Sequence, residues 1–507
     1  MSYFVLLPLL TSAITIAITL ASRSRTIYRL APMITSTIIF LSGIILVGDG
    51  QGAQIALGGI LRIDAISAWM LMTVGAVGTA AMGAGLKNDV NQSYSVLLNC
   101  FVAAMTVAVE ADNIGFMWFA IEATTVATAF LVSKSGTRRA AEAAWKYVVL
   151  ASSGIAIALL GIVIIFGASQ GRTLSWIALM HDHHLNQGLL RLGLALTILG
   201  FATKVGLFPM HSWLPDAHSQ SPSTVSALMS GVLLSVALYV IIRMRLLGEF
   251  SSGNSEFKGI LIFMGITSLA LASLMMVRQR DIKRLLAYSS IEHMGVMVLG
   301  VAVGKVAIAA VLTYILAHGL LKAPLFILAG RVVDGTGTSD IATISQSGNF
   351  VGRTKILTIV GLVGLLGLPP FAIFFAEISI SISGFSRGLG IYIAVAFIFT
   401  LIAFSSIIRS ISTLAFPVTQ VSHKAINESP YDPLSIDHSR GKVSVVAVRT
   451  DLPSKESSSI PLARKSRHSS DVILAASLLA AVLFPFFLTN SQRSIEVALS
   501  LLTGVKG

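Results

Sequence analysis

Few ionisable side chains fall inside the long apolar stretches of this sequence, and those that do belong to types that hold or pass a proton. Glu122 sits in MWFAIEATTVATAF, Lys204 in LTILGFATKVGLFPM, His318 and Lys322 in YILAHGLLKAPLF, and Glu377 in GLPPFAIFFAEISI, while Glu292 and His293 lie in SSIEHMG. A charge in hydrocarbon is costly unless it faces a partner or a wet cavity, so such residues either line a shared path or are each paired locally or snorkel. A shared path needs one explanation where local pairing needs one for every helix. His318 and Lys322 are four residues apart and project from one helical face. Two cations there disfavour each other's protonation, which suits a group that must hand its proton on.

The elements that position these residues are membrane helices. Of 507 residues, 54% are hydrophobic and 12% charged, with mean hydropathy +0.83; a soluble domain carries about 25% charged residues. The single cysteine, Cys100, excludes an internal disulfide and any thiolate-built zinc or iron–sulfur site carried by this chain alone. No cofactor and no metal are therefore expected. The run His181, Asp182, His183, His184 falls in a short outer connection and reads as a solvated cluster rather than a metal site. No Gly-rich phosphate loop follows a strand, and no Ser/His/Asp set is arguable. The excess of 36 Lys and Arg over 23 Asp and Glu, net +13, is that of a protein obeying the positive-inside rule, not of a nucleic-acid binder.

Fourteen apolar stretches of about 20 residues lie near 3–22, 30–47, 65–85, 93–109, 113–132, 147–168, 189–209, 223–242, 259–277, 286–304, 306–330, 355–383, 390–416 and 471–489. The first carries no basic residue before it and no cleavage pattern after it, so a removed signal peptide is the weaker reading. Odd connections hold 15 Lys and Arg against 8 in even ones, Arg243 and Arg245 counted among the latter. This predicts odd connections in the cytoplasm and both termini outside. A basic, serine-rich stretch over 417–470 falls on the inner side and reads as a flexible, solvated loop.

Two stretches are interrupted where a membrane helix would run straight through. Lys204 is followed by Gly206 and Pro209, and Pro369 and Pro370 precede Glu377. Proline frees a carbonyl, which a membrane tolerates only where protein or water replaces the lost bond. Broken helices at matching places in two halves point to inverted repeats around a mid-membrane ion site. The expected fold is all-α and polytopic, with about 14 transmembrane helices, two inverted repeats of five helices and two Pro-broken helices. Its expected parts are N-terminal helices over 1–92, a first repeat over 93–243, a second over 257–416, the loop 417–470, and a last helix with tail over 471–507.

The stretch KVGLFPMHSWLPDAHSQSPSTVSALMSG, residues 204–231, resembles the signature of the proton-conducting antiporter-like subunits of respiratory complex I, of membrane-bound hydrogenases of the formate hydrogenlyase type, and of multi-subunit sodium/proton antiporters. RQRDIKRLLAYSSIEHMG (278–295) and HGLLKAPLFILAG (318–330) resemble its second and third blocks. SSIEHMG together with GLPPF is most similar to the hydrogenase branch. The resemblance implies that Glu122 pairs with Lys204 and adjusts its proton affinity, that Lys204 holds the proton of the first half-channel, that His318 lies on the central polar axis with Lys322 one turn beyond, and that Glu377 is the terminal residue. It also implies a role for His211 and His218 around the loop after the broken helix, as supports of that loop or as an extension of the path. Many relatives carry a bridging lysine where this chain has Ser235. A serine can hold a water but stores no charge, so transfer from Lys204 to His318 would rely on Ser235, Tyr239 and waters. The chain ends at Gly507 without the long lateral helix of the largest family member, which points to an M-type or N-type subunit.

The expected function is a proton-translocating subunit of a redox-driven, hydrogenase-like or NADH:quinone oxidoreductase-like complex in the cell inner (cytoplasmic) membrane, with no redox centre of its own. Its partners would be other membrane subunits, a peripheral electron-transfer arm, the lipid bilayer, and protons or sodium; no nucleic acid is expected. The driving term is electrostatic: opposite charges about 4 Å apart interact by roughly 4 kcal/mol at an effective dielectric of about 20. Two alternatives use the same sequence features, a subunit of a multi-subunit sodium/proton antiporter and a structural membrane subunit whose channel has degenerated at Ser235.

Overall fold

The structure is a computed structural model and describes residues 2–49, 53–86, 90–252, 256–416 and 469–483. Most of the 417–470 loop and the tail after 483 lie outside the described residues. The chain opens with α1 (Ser2–Ala21) and α2 (Arg25–Asp49), a small antiparallel hairpin of β1 (Gln54–Ala56) and β2 (Leu61–Ile63), and α3 (Ala65–Gly85). There follow α4 (Gln92–Glu110), α5 (Ile114–Ser133), α6 (Arg138–Ala168), a short α7 (Trp176–Met180), α8 (Gln187–Val205), α9 (Trp213–Gln220) and α10 (Ser223–Leu228), which runs through a π-helical turn (Met229–Leu233) into α11 (Leu234–Ser252). The rest comprises α12 (Glu256–Val277), α13 (Ile282–Val303), α14 (Lys305–Thr336), α15 (Ile341–Gln346), α16 (Gly352–Gly364), α17 (Ala372–Ser386), α18 (Gly390–Ala415) and α19 (Ser469–Leu483).

Eleven of these helices are long and apolar enough to cross a membrane, and three shorter apolar ones cover Val5–Ala21, Ala372–Ser386 and Ser469–Leu483. The stretch at 355–383, expected as one span, is two helices, because α16 stops at Gly364 and α17 begins only after Pro369 and Pro370. The first break is built from Gly206, whose φ of 80° closes α8 while its N–H bonds back to Ala202 O and Thr203 O. Only glycine takes that conformation without strain. The order of three long helices, one broken helix and one further long helix thus occurs twice, over α4–α11 and α12–α18.

Helix starts are set by side-chain caps. Asp64, Asn113, Thr137, Asn186 and Asp281 each accept a backbone N–H that the first turn would otherwise leave unbonded. Burial then sorts the helices. The most apolar windows of α10–α11 and α13 are fully buried and that of α14 is 94% buried, against 28% for α18, so the helices with the densest chemistry are central and their all-round hydrophobicity is met by protein. Close approach is forced at Gly319 on α14: a Cβ there would lie 2.7 Å from Val77 and 2.8 Å from Gly231 O. Backbones meet there, one residue from His318.

Two sequence expectations are corrected by packing. Arg243 and Arg245, counted as connection charges, lie inside α11 at 1% and 5% exposure. Arg243 is held there by a bidentate pair with Asp64, both N–O distances 2.6 Å, and by the faces of Trp176 and Tyr239. Lys146, just before the apolar stretch at 147–168, is in the third turn of α6.

Candidate functional site

The first cluster is built where α5, α6 and α8 meet. Glu122 is half-buried, and its carboxylate accepts hydrogen bonds from Ser152 Oγ at 2.7 Å and from Thr125 Oγ1 at 3.1 Å. Thr125 in turn accepts from the fully buried Lys204 Nζ at 2.6 Å, which also donates to Tyr147 OH at 2.6 Å. Tyr147 OH shares a further hydrogen bond with Thr128 at 2.7 Å, and the lysine nitrogen lies 4.7 Å from the tyrosine ring centre. Glu122 and Lys204 are thus linked through a single hydroxyl, with Thr125 standing between them. The reason is helical geometry, since Thr125 is one turn from Glu122 on the same face and reaches the ammonium first. Spacing could have signalled Thr125; Tyr147 gives no such signal, because only the docking of α6 on α8 brings it there.

The second cluster lies among α13, α14 and α17. Lys322 Nζ donates to Leu286 O at 2.8 Å and to the Ser289 hydroxyl. His318, one turn away, faces His293 with ring centres 5.5 Å apart. His293 Nδ1 is 2.7 Å from Tyr314 OH, and Tyr314 OH donates to Glu377 Oε1 at 2.5 Å. With the tyrosine proton given to Glu377, the His293 nitrogen must carry the proton on Nδ1, which leaves Nε2 as an acceptor; that atom is buried and has no partner. Both ring nitrogens of His318 are also buried without a hydrogen-bond partner among the described residues. Glu292 Oε2 stands 3.4 Å from His293 Nδ1. A cavity of about water size, lined by Glu292, His293, Glu377 and Thr400 together with Leu365 and Leu366 of the second break, opens beside this chain. Tyr314 was not foreseen from sequence, though it stands one turn before His318 on the same helix.

Between the clusters lies α9. Its Trp213 packs on Tyr147 at 4.8 Å and donates to Thr203 O at 3.0 Å, beside Lys204. Its His218, five residues on, is fully buried and stacked on Phe326 of α14 at 4.8 Å, one turn from Lys322, with neither nitrogen bonded. His218 thus packs beside the second cluster, whereas His211 is half-buried in the preceding loop, stacked on Phe208 at 6.0 Å. The two residues expected to bridge the halves are placed differently. Ser235 is buried with one hydrogen bond, to its own helix at Gly231 O, 3.5 Å. Tyr239 is drawn into the Asp64–Arg243 network, donating to Val109 O at 2.9 Å and accepting from Arg243 Nε at 2.9 Å. In the connection between α7 and α8, Asp182 is taken up by Arg172 at 2.9 Å.

All of the charged residues in both clusters fall within residues 111–404, which match the family described as NADH:quinone oxidoreductase/Mrp antiporter, TM. The chain belongs to this family. It is an antiporter-like, multi-pass membrane protein. It is 35% identical to a hydrogenase-4 component F homolog of Methylacidiphilum infernorum over 58% of this chain and 63% of that protein, so the match spans less than two thirds of that relative's length. It is 27% identical to NADH-quinone oxidoreductase subunit N of Desulforudis audaxviator, over 68% of this chain and 70% of that one. Among solved structures, a chain of the membrane-bound sulfane sulfur reductase, an archaeal respiratory membrane complex, superposes with a TM-score of 0.80 at 21% identity, covering 99% of this chain and 98% of that one. A chain of the Mrp complex from a Dietzia species gives 0.79 at 20% identity, covering 99% and 97%. These two likenesses are of fold. Such relatives are subunits of multi-subunit membrane complexes.

Proposed function

We propose that this antiporter-like subunit moves protons along a mid-membrane chain within a redox-driven complex. The observation that carries the proposal is two runs of titratable groups, one hydrogen-bonded from Glu122 through Thr125 to Lys204, the other from His318, edge-on to His293, through Tyr314 to Glu377, with His218 stacked on Phe326 between them. A proton arriving from His318 is taken by the free Nε2 of His293. The Nδ1 proton then passes to the Tyr314 oxygen as the tyrosine proton passes to Glu377. His293 and Tyr314 each gain one proton and give one, Glu377 ends protonated, and once Glu377 has released that proton onward a return flip of the network resets it. A charge change in a neighbouring subunit is felt at half-buried Glu122 and reaches Lys204 through Thr125, shifting its balance between ammonium and amine.

Under this reading the two five-helix orders are inverted repeats over 93–243 and 257–416, and Lys204 and Glu377 belong to their broken helices. The redox centres and the peripheral arm belong to other chains, and the membrane is the cytoplasmic one with the basic connections inside. Removing Arg243 and Arg245 from the outer count leaves the charge imbalance larger. The test is proton uptake by the intact complex in sealed vesicles. Lys204→Ala is expected to abolish translocation while electron transfer continues in part, and unchanged uptake would refute the proposal. A sodium/proton antiporter subunit is the second reading, supported by the Mrp-like fold; it predicts a sodium gradient dissipated by the same vesicles without electron donor.

A further inference from the structure

Helix α14 carries a proline, Pro324, two residues beyond Lys322. A proline has no N–H to give to the carbonyl four residues back, and its ring presses on that carbonyl. The carbonyl is Leu320 O, between His318 and Lys322 in sequence. It does not go unbonded: Ser477 Oγ of α19 donates to Leu320 O at 2.9 Å. Ser477 is 6% exposed, so no bulk water competes for the bond. The helix that brings this hydroxyl is anchored independently. Asp471 pairs with Arg331 of α14 at 2.8 Å, Arg331 also donates to Ala84 O of α3 at 3.0 Å, and Ile473 Cδ1 lies 3.0 Å from where a Cβ on Gly83 would be. Thus α19 sits in the groove between α3 and α14 and supplies the missing donor from outside.

Leu320 is two positions from both His318 and Lys322, about 200° around the helix, so Ser477 acts on the back of the face that carries them. A bend at a proline is set by what satisfies the freed carbonyl. We propose that Ser477 is a positioning residue for proton transfer: by replacing the amide that Pro324 lacks, it holds the stretch of α14 around Pro324 in the geometry at which His318 meets His293 and Lys322 meets Ser289. The proposal deepens the proton-translocation reading and rests on it. It also gives the C-terminal helix a task in a site to which it contributes no titratable group.

The experiment uses the intact complex in vesicles and a cycle of four forms: the unaltered chain, Ser477→Ala, Pro324→Ala, and both together. Pro324→Ala restores the internal amide, so Ser477 should cease to matter. Ser477→Ala alone is expected to lower proton translocation per electron roughly three- to ten-fold, the range of an interhelical hydrogen bond in a membrane, and to speed deuterium exchange in α14 over residues 320–328. Ser477→Thr, which keeps the hydroxyl, should restore both. In the Pro324→Ala background, Ser477→Ala should change neither. If exchange in α14 is unaffected by Ser477→Ala, or if its effect is the same with and without the proline, the proposal is overturned. Lys204→Ala in the same vesicles separates the two readings: uptake surviving that change condemns the pump, whereas the exchange measurement judges Ser477 without reference to uptake.

Discussion

At Lys204 the ammonium is held by two hydroxyls, and its hydrogen-bonded link to Glu122 runs through one atom, Thr125 Oγ1. That makes Thr125 the narrowest point of the first cluster. Thr125→Val keeps the shape and removes the hydroxyl; a hydrogen bond to a charged group is worth about 1.5–3 kcal/mol, so translocation should fall roughly ten-fold or more while electron transfer persists. Thr125→Ser should behave as the unaltered protein. Equal uptake in the valine variant would mean that Glu122 reaches Lys204 by another route. The titratable members of both clusters were legible in the sequence because charges at membrane depth are rare and conspicuous. Their hydroxyl partners, Thr125, Tyr147, Ser289 and Tyr314, were not, since a threonine or tyrosine in an apolar helix is ordinary until a neighbouring helix aims a charge at it.

Among the helices, α3 and α11 are joined by a pair that composition alone assigns to the surface. Asp64 caps α3 through Ser67 N and at the same time holds Arg243 of α11, both side chains under 5% exposed. Removing one partner strands a charge inside the protein, a loss of about 3–5 kcal/mol, whereas replacing both with uncharged groups is often mild. Asp64→Asn, which keeps the cap, should therefore sharply lower the thermal stability of the purified complex. Asp64→Asn with Arg243→Met should recover much of that loss. A double variant as unstable as the single one would show that the pair matters through its hydrogen bonds to Tyr239 and Ser67 and not through charge. The pairing of breaks at Gly206 and at Pro369–Pro370 was readable in advance from glycine and proline positions. That α9 packs between the clusters was not, because nothing in eight residues of sequence states which helices they touch.

For the whole molecule, the charge imbalance between connections predicts the loop after α5 inside and the loop after α7 outside. Ser135 and His183 are exposed in those two loops. Ser135→Cys should react with a membrane-impermeant maleimide in inside-out vesicles alone, and His183→Cys in right-side-out vesicles alone, with Cys100 replaced beforehand. The opposite pattern would invert the topology. The apolar faces of α2, α6 and α18 stay exposed in the isolated chain, as expected of helices that meet lipid or further membrane subunits.

What the sequence determined by itself is the class of molecule, its family resemblance, the location of most of its spans and most of its buried acids and bases, because hydrophobic runs, helix breakers and charges in hydrocarbon are local properties that each residue carries along the chain. What only the tertiary structure decided is which of these groups touch: Thr125 between Glu122 and Lys204, the proton order along His293, Tyr314 and Glu377, the burial of Arg243 on Asp64, and the repair of Pro324 by Ser477 across 157 positions of chain. A hydrogen bond depends on distances of a few tenths of an ångström between helices, and no periodicity within one helix encodes the register of another.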